Sequence, residues 1–139
     1  MQAGTHGEVL HRVADRLCAE FTDPEVAELP GLGASLGAEG GMTRMLDAEN
    51  EALVARLRGA LAAIASTLSA GVEDPAVRAI EAALDGAEFV IRGELVDGNV
   101  ERVLRLMPSF VFLVALSVAD QDRALELSRR TAELTAEAW

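Results

Sequence analysis

The chain has 139 residues, 50% hydrophobic and 25% charged, with 23 acidic against 12 basic side chains and a formal net charge of −11. That balance excludes a disordered chain, and by itself it repels a phosphate backbone, so nucleic-acid binding by this chain alone is not expected. A single cysteine, Cys18, rules out an internal disulfide, and the length suits one domain with a real core.

All twelve basic residues are arginine, and lysine and tyrosine are missing. With so much Ala, Gly, Leu and Val, this bias suggests a GC-rich bacterial genome. No basic-then-apolar leader with a small-residue cleavage site is visible, so the cytoplasm is the expected location. The most apolar stretch, Leu106 to Ala119, covers 14 residues and contains Pro108, Ser109 and Ser117. A bilayer needs roughly 20 apolar residues, so this stretch reads as a buried helix and no membrane partner is expected.

Helical periodicity runs through the chain, and no stretch alternates cleanly enough for a strand. The first helix is expected over His6 to Phe21. Thr5 and Glu8 have capping-box spacing, and Val9, Leu10, Val13, Leu17 and Phe21 share one face. Asp23-Pro24 offers the start of a short second helix, which Pro30-Gly31 interrupts. Five glycines fall in the eleven residues from Gly31 to Gly41, a linker pattern.

A long helix is expected from Thr43 to Ala70, with Leu46, Leu53, Leu57, Leu61, Ile64 and Leu68 in its stripe, Asn50 as the polar exception and Gly71 as its stop. Asp74-Pro75 opens the next helix, which points Val77, Ile80, Leu84, Ala87, Ile91 and Leu95 inward and carries the i,i+4 pair Glu88–Arg92 on its other side. After the turn at Asp97-Gly98-Asn99, Asn99 is placed to cap a helix holding Val100, Val103, Leu104 and Met107. Pro108 must then kink that helix or start another, because it removes a donor and clashes with the preceding turn.

Phe110 to Ala119 is apolar nearly all round, as in a helix buried on several sides. The last helix, Asp120 to Trp139, carries Ala124, Leu127, Thr131, Leu134 and Ala138 at steps of 3, 4, 3 and 4, a narrow heptad-like seam that asks for a partner helix. The fold expected is all-α, a bundle of about five to six helices in a single domain.

No pattern of catalytic or metal-binding residues emerges. His6 and His11 are five positions apart, which puts them about 140° apart on a helix, too far to share a metal. Neither a His-Glu-x-x-His nor a Glu-x-x-His pattern is present, so no metal or other cofactor is expected. Cys18 borders an apolar face and reads as a small core residue. Asp47, Glu49 and Glu51 read as a solvated helix face. Gly31 to Gly37 lacks the preceding strand and the Gly-Lys-Ser/Thr ending of a phosphate loop. Met42, Met45 and Met107 read as core residues, or else as an adaptable pocket lining. With no nucleophile, base and orienting group to name, an enzyme is not expected.

The segment DPAVRAIEAALDGAEFVIRGELVDGNVERVLRLMPSFVFLVALSVADQDRALELSRR resembles the C-terminal half of TetR/AcrR-type transcriptional regulators. The resemblance lies in the Asp85-Gly86 step, in the turn Gly98-Asn99-Val100-Glu101, in Leu106-Met107-Pro108 before an apolar helix, and in an arginine-rich closing helix. MQAGTHGEVLHRVADRL is similar to the segment that joins the DNA-binding head of such regulators to the body. The glycine-rich segment does not align, and the family's helix-turn-helix is not among these residues, so an in-frame upstream extension encoding it is expected.

The resemblance implies a TetR C-terminal-domain-like body that forms a homodimer through a four-helix bundle and holds a pocket for a small hydrophobic effector. Large or adaptable residues on helices expected to face one another make Leu57, Leu61, Phe89, Met107 and Phe110 the candidate lining. Phe112 and Leu116, with the seam of Ala124, Leu127, Thr131, Leu134 and Ala138, are the candidate dimer interface. The alternative is a stand-alone helical-bundle interaction module without a ligand. An enclosed apolar cavity favours the first reading and a filled interior the second.

Overall fold

The computed structural model describes residues 3–21, 48–70 and 76–138, with side chains from residue 8 to residue 137 within them. Among the described residues there are five α-helices and no strand: α1 (Ala3–Phe21), α2 (Ala48–Ser69), α3 (Val77–Val96), α4 (Val100–Leu116) and α5 (Gln121–Ala138). They form an all-α helical bundle. The short helix at Asp23-Pro24, the glycine-rich linker, Met42 and Met45, Asp47, the helix start at Thr43 with Leu46, the stop at Gly71 and the cap at Asp74-Pro75 lie outside the described residues, as do the side chains of Thr5 and His6.

The centre of the bundle is α4, which packs against each of the other four helices. Val103, Met107, Phe110 and Val114 line one strip of it and Leu104, Val111 and Ala115 the adjacent one, all buried. At about 100° per residue, the two neighbouring strips together span about 140° of the helix circumference, a broad apolar face that several helices cover. Around it, α1 presents Val9, Leu10, Val13, Ala14 and Leu17, and α2 presents Leu53, Leu57, Leu61 and Ile64. The chain order is also a packing order: α1 lies on α2, α2 on α3, α3 on α4 and α4 on α5, and α5 returns to α1.

Pro108 neither ends α4 nor starts a new helix: α4 runs through it from Val100 to Leu116. The missing N–H removes one bond to the Leu104 carbonyl, and the buried side chains on both sides of Pro108 hold the helix together across the gap. The Pro108 carbonyl accepts a bond from Ser128 Oγ of α5 at 3.0 Å.

α2 is long and apolar enough to cross a membrane by length and composition alone, with 22 residues and a mean hydropathy of 1.3 in its most apolar window. Its apolar side chains are those buried against α1, α3 and α4, so core packing accounts for them.

The seam of α5 finds its partner helices inside the same chain. Ala124, Leu127, Thr131 and Leu134 are each at most 3% exposed, facing α4 and α1, and Thr131 Oγ1 donates to the Leu127 carbonyl at 2.7 Å. A heptad seam specifies that a helix must be covered, not by which chain. The side chain of Ala138 lies outside the described residues.

α3 ends in a paired turn. The Asn99 N–H bonds the Glu94 carbonyl at 2.8 Å and the Gly98 N–H the Leu95 carbonyl at 3.1 Å, closing the helix through Gly98 at φ 78°. Asn99 does not cap α4 with its side chain, which donates instead to Glu94 Oε1. At the next junction the Asp120 carboxylate accepts the Arg123 N–H at 2.8 Å and caps α5.

Gly98→Ala is expected to lower the unfolding free energy by about 1 kcal/mol through its left-handed φ. Asp120→Ala is expected to cost about 1 kcal/mol through the lost cap. Urea titrations of both variants check these values. Leu127→Asp with Leu134→Asp places unpaired charges inside the chain's own core, so loss of the helical circular-dichroism signal is expected, rather than a folded monomer.

Candidate functional site

The contact between α2 and α3 divides into a polar half and an open half. α2 starts with Glu49 and Glu51, which favour a helix N-terminus, and the face it turns to α3 carries Glu51 and Arg58, then Ala62, Ala65, Ser66 and Ser69. α3 runs antiparallel to it. Its second half therefore meets the charged part of α2, and its first half meets the small residues.

In the polar half, Arg58 Nη1 donates to Asp85 Oδ1 at 2.9 Å and to Glu88 Oε1 at 2.8 Å. Arg92 Nη1 donates to Glu51 Oε2 at 2.6 Å, and its Nη2 donates to Glu88 Oε2 at 2.8 Å. Glu88 thus holds both guanidinium groups, one with each oxygen. The side chains of Arg58, Arg92, Glu51 and Glu88 are 18 to 26% exposed, so water screens these pairs only partly. Burial lowers the proton affinity of Arg92, and the hydrogen bonds and charges of Glu88 and Glu51 more than offset it, leaving the guanidinium above its usual pKa. Expected from the sequence on the outer side of the helix, Glu88 and Arg92 are in fact turned toward α2.

In the open half the two helices leave a groove of about 370 Å³ lined by Ala62, Ala65, Ser66, Ser69 and Ala70 from α2 and by Val77, Ile80 and Leu84 from α3. Small-molecule sites commonly measure about 300 to 1,000 Å³ and combine an apolar lining with a few polar groups. Ser69 Oγ is committed to the Ala65 carbonyl at 2.7 Å, while Ser66 stands exposed at the edge. Val77, expected from the sequence to face inward, is 55% exposed.

None of the five residues expected to line a pocket borders this groove. Leu57, Leu61 and Met107 are 0% exposed and Phe110 is 5% exposed, all within the packed core, whereas Phe89 is 80% exposed on the far side of α3. Large apolar side chains fill the interior first. Open space is left where side chains are small, and the signal for it in the sequence is Ala62, Ala65, Ser66 and Ser69 at helical spacing.

The residues expected at a dimer interface are similarly divided. The four described members of the α5 seam are buried in the chain's own bundle, Phe112 is half-buried, and Leu116 is 42% exposed. Leu113 and Leu125, which the seam pattern passed over, are 53% and 48% exposed.

Among the described residues no group of three or more His, Cys, Asp or Glu is placed to hold a metal ion. Cys18 is half-buried against the core, and burial pushes its thiol pKa up. A raised pKa keeps the thiol protonated at neutral pH, which is the unreactive form.

Glu88→Gln is expected to destabilise the fold by about 2 kcal/mol, because both arginines lose a charged acceptor while partly out of water; chemical denaturation measures it. Cys18 is expected to react with iodoacetamide at pH 7.5 far more slowly in the folded chain than in urea, by mass spectrometry.

No protein-family model, no curated protein and no solved structure matches this chain.

Proposed function

We propose that the chain is the effector-binding, dimerising body of a TetR-like transcriptional regulator, and that a small hydrophobic effector occupies the groove between the end of α2 and the start of α3. The observation that carries this reading is a groove of about 370 Å³ between α2 and α3, lined among the described residues mainly by apolar side chains. The acidic all-helical bundle and the family resemblance of the segment from α3 to α5 agree with it.

The mechanism is a shift of population. A ligand touching Ala62 and Ala65 on one side and Ile80 and Leu84 on the other binds best to one spacing of α2 and α3, and it favours that spacing by its difference in affinity. The Arg58–Glu88–Arg92 cluster holds the opposite half of the same pair of helices, so the groove end is where their separation changes. Recognition is mostly apolar, with Ser66 as the hydroxyl available to an effector's polar group. In this reading the protein binds and does not catalyse, acts in the cytoplasm, and meets DNA only through a basic helix-turn-helix outside these residues, since the body itself is strongly acidic.

A second reading, a helical-bundle interaction module without a ligand, is favoured by one observation: the interior at Leu57, Leu61, Met107 and Phe110 is filled. Thermal-shift measurements against a panel of small hydrophobic compounds separate the two. Binding to the folded state raises the melting temperature, and the rise is expected to vanish in Ala62→Leu, whose side chain occupies the groove. A flat response across the panel supports the interaction module.

A further inference from the structure

The ion pairs between α2 and α3 form a ladder that stops one rung short. The helices are antiparallel, so each turn forward along α2 meets a turn back along α3. Glu51 stands against Arg92 at 2.6 Å, and two turns on, Arg58 stands against Asp85 at 2.9 Å and Glu88 at 2.8 Å. The next turn sets Ala62, four residues on from Arg58, against Glu81, four residues back from Asp85. At this rung the anion is in place and a methyl group stands where the cation would be. Glu81 is exposed and makes no ion pair among the described residues; Arg78, three residues before it and also exposed, forms none with it. The incomplete rung opens onto the groove. Ala62 lines the groove, and Glu81 lies between Val77 and Leu84, which line it four residues before and three residues after. Residues at these spacings are neighbours on one helix face. Ser66, one turn beyond Ala62, adds an exposed hydroxyl at the same edge.

We propose that the groove takes an amphiphilic cation, a small molecule with an apolar body and a protonated amine at one end. The body lies against Ala62, Ala65, Ile80 and Leu84. The ammonium group completes the ladder by donating to the Glu81 carboxylate, as the Arg58 guanidinium donates to Asp85 one turn away. Ser66 Oγ supplies a second acceptor. Charge complementarity acts at two ranges. At close range the Glu81 carboxylate attracts an ammonium and repels a carboxylate of the same size. At long range the net charge of −11 raises the concentration of cations around the chain. Water reaches Glu81, so the preference is a few-fold, that of an ion pair at a solvent edge.

This rests on the reading of the groove as an effector site and names the class of effector. NMR titrations of the 139-residue chain at pH 7 with hexylamine, hexanol and hexanoate compare one apolar body carrying three different heads. The amine is protonated there, as a lysine side chain is. Hexylamine is expected to bind about fivefold more tightly than hexanol, and hexanoate more weakly than hexanol. Added salt is expected to narrow both gaps. Glu81→Gln is expected to bring hexylamine to the level of hexanol. Glu133→Gln removes the same charge from α5, away from the groove, and is expected to keep the amine's advantage. The rung is also tested without any ligand: Ala62→Arg is expected to melt at a higher temperature with Glu81 in place than combined with Glu81→Gln. Equal affinity for the three probes overturns the proposal and leaves the effector reading standing. An amine preference that survives Glu81→Gln also overturns it, as attraction to the acidic chain at large. Absence of binding by all three, hexanol included, overturns the proposal together with the groove on which it rests.

Discussion

Everything else in this bundle is arranged around the need to cover α4. Seven of its side chains, from Val103 to Ala115, are buried on two adjacent strips, and all four other helices contribute to covering them. Fully burying a side chain of this size is worth about 1.5–3 kcal/mol, so no single neighbour would suffice and the chain wraps around. The same enclosure explains why Pro108 is tolerated: one missing backbone bond is a small loss against packing on both sides. It also determines the fate of α5, whose narrow seam is used up on α4 and α1 and is not left for a partner.

The second constraint is the roll of α3 about its axis. Leu84, Ala87, Ile91 and Leu95 define a buried line, but that line alone leaves the helix some freedom to rotate. The bonds that cross to α2 fix it: Arg58 donates to Asp85 and Glu88, and Arg92 donates to Glu51. Charges held this way are costly to remove singly, since each would leave a partner partly buried and unpaired. The ion pairs at the bundle perimeter, such as Arg130–Glu20 and Arg56–Asp15, lie between exposed side chains and contribute far less. With α3 rolled so that Glu88 and Arg92 face α2, Phe89 points outward, 80% exposed.

One helix thus borders the groove on one side and exposes an aromatic ring on another. Its first turns, facing Ala62 and Ala65, border the groove, and its outer surface carries the exposed ring between two glycines.

The sequence by itself determined that the chain is helical, where most helices run, and that the helix containing Phe110 and Val114 is enclosed. These follow from local spacing: apolar residues at three- and four-residue steps favour a helix, and a broad apolar face favours burial, although Leu113 and Leu116 of that helix stay exposed. The tertiary structure alone decided which surface covers which. The seam of Ala124, Leu127, Thr131 and Leu134 was legible as a surface needing a partner, yet a seam is satisfied equally by its own chain or another. Phe89 was legible as large and apolar, and it is the ion pairs across to α2, Arg58 with Glu88 and Arg92 with Glu51, 30 and 41 residues apart along the chain, that go with its being turned out of the core. The groove was hidden for a related reason. Empty space is a property of facing pairs such as Ala62 with Ile80 and Leu84, and the spacing along one helix does not say what stands opposite.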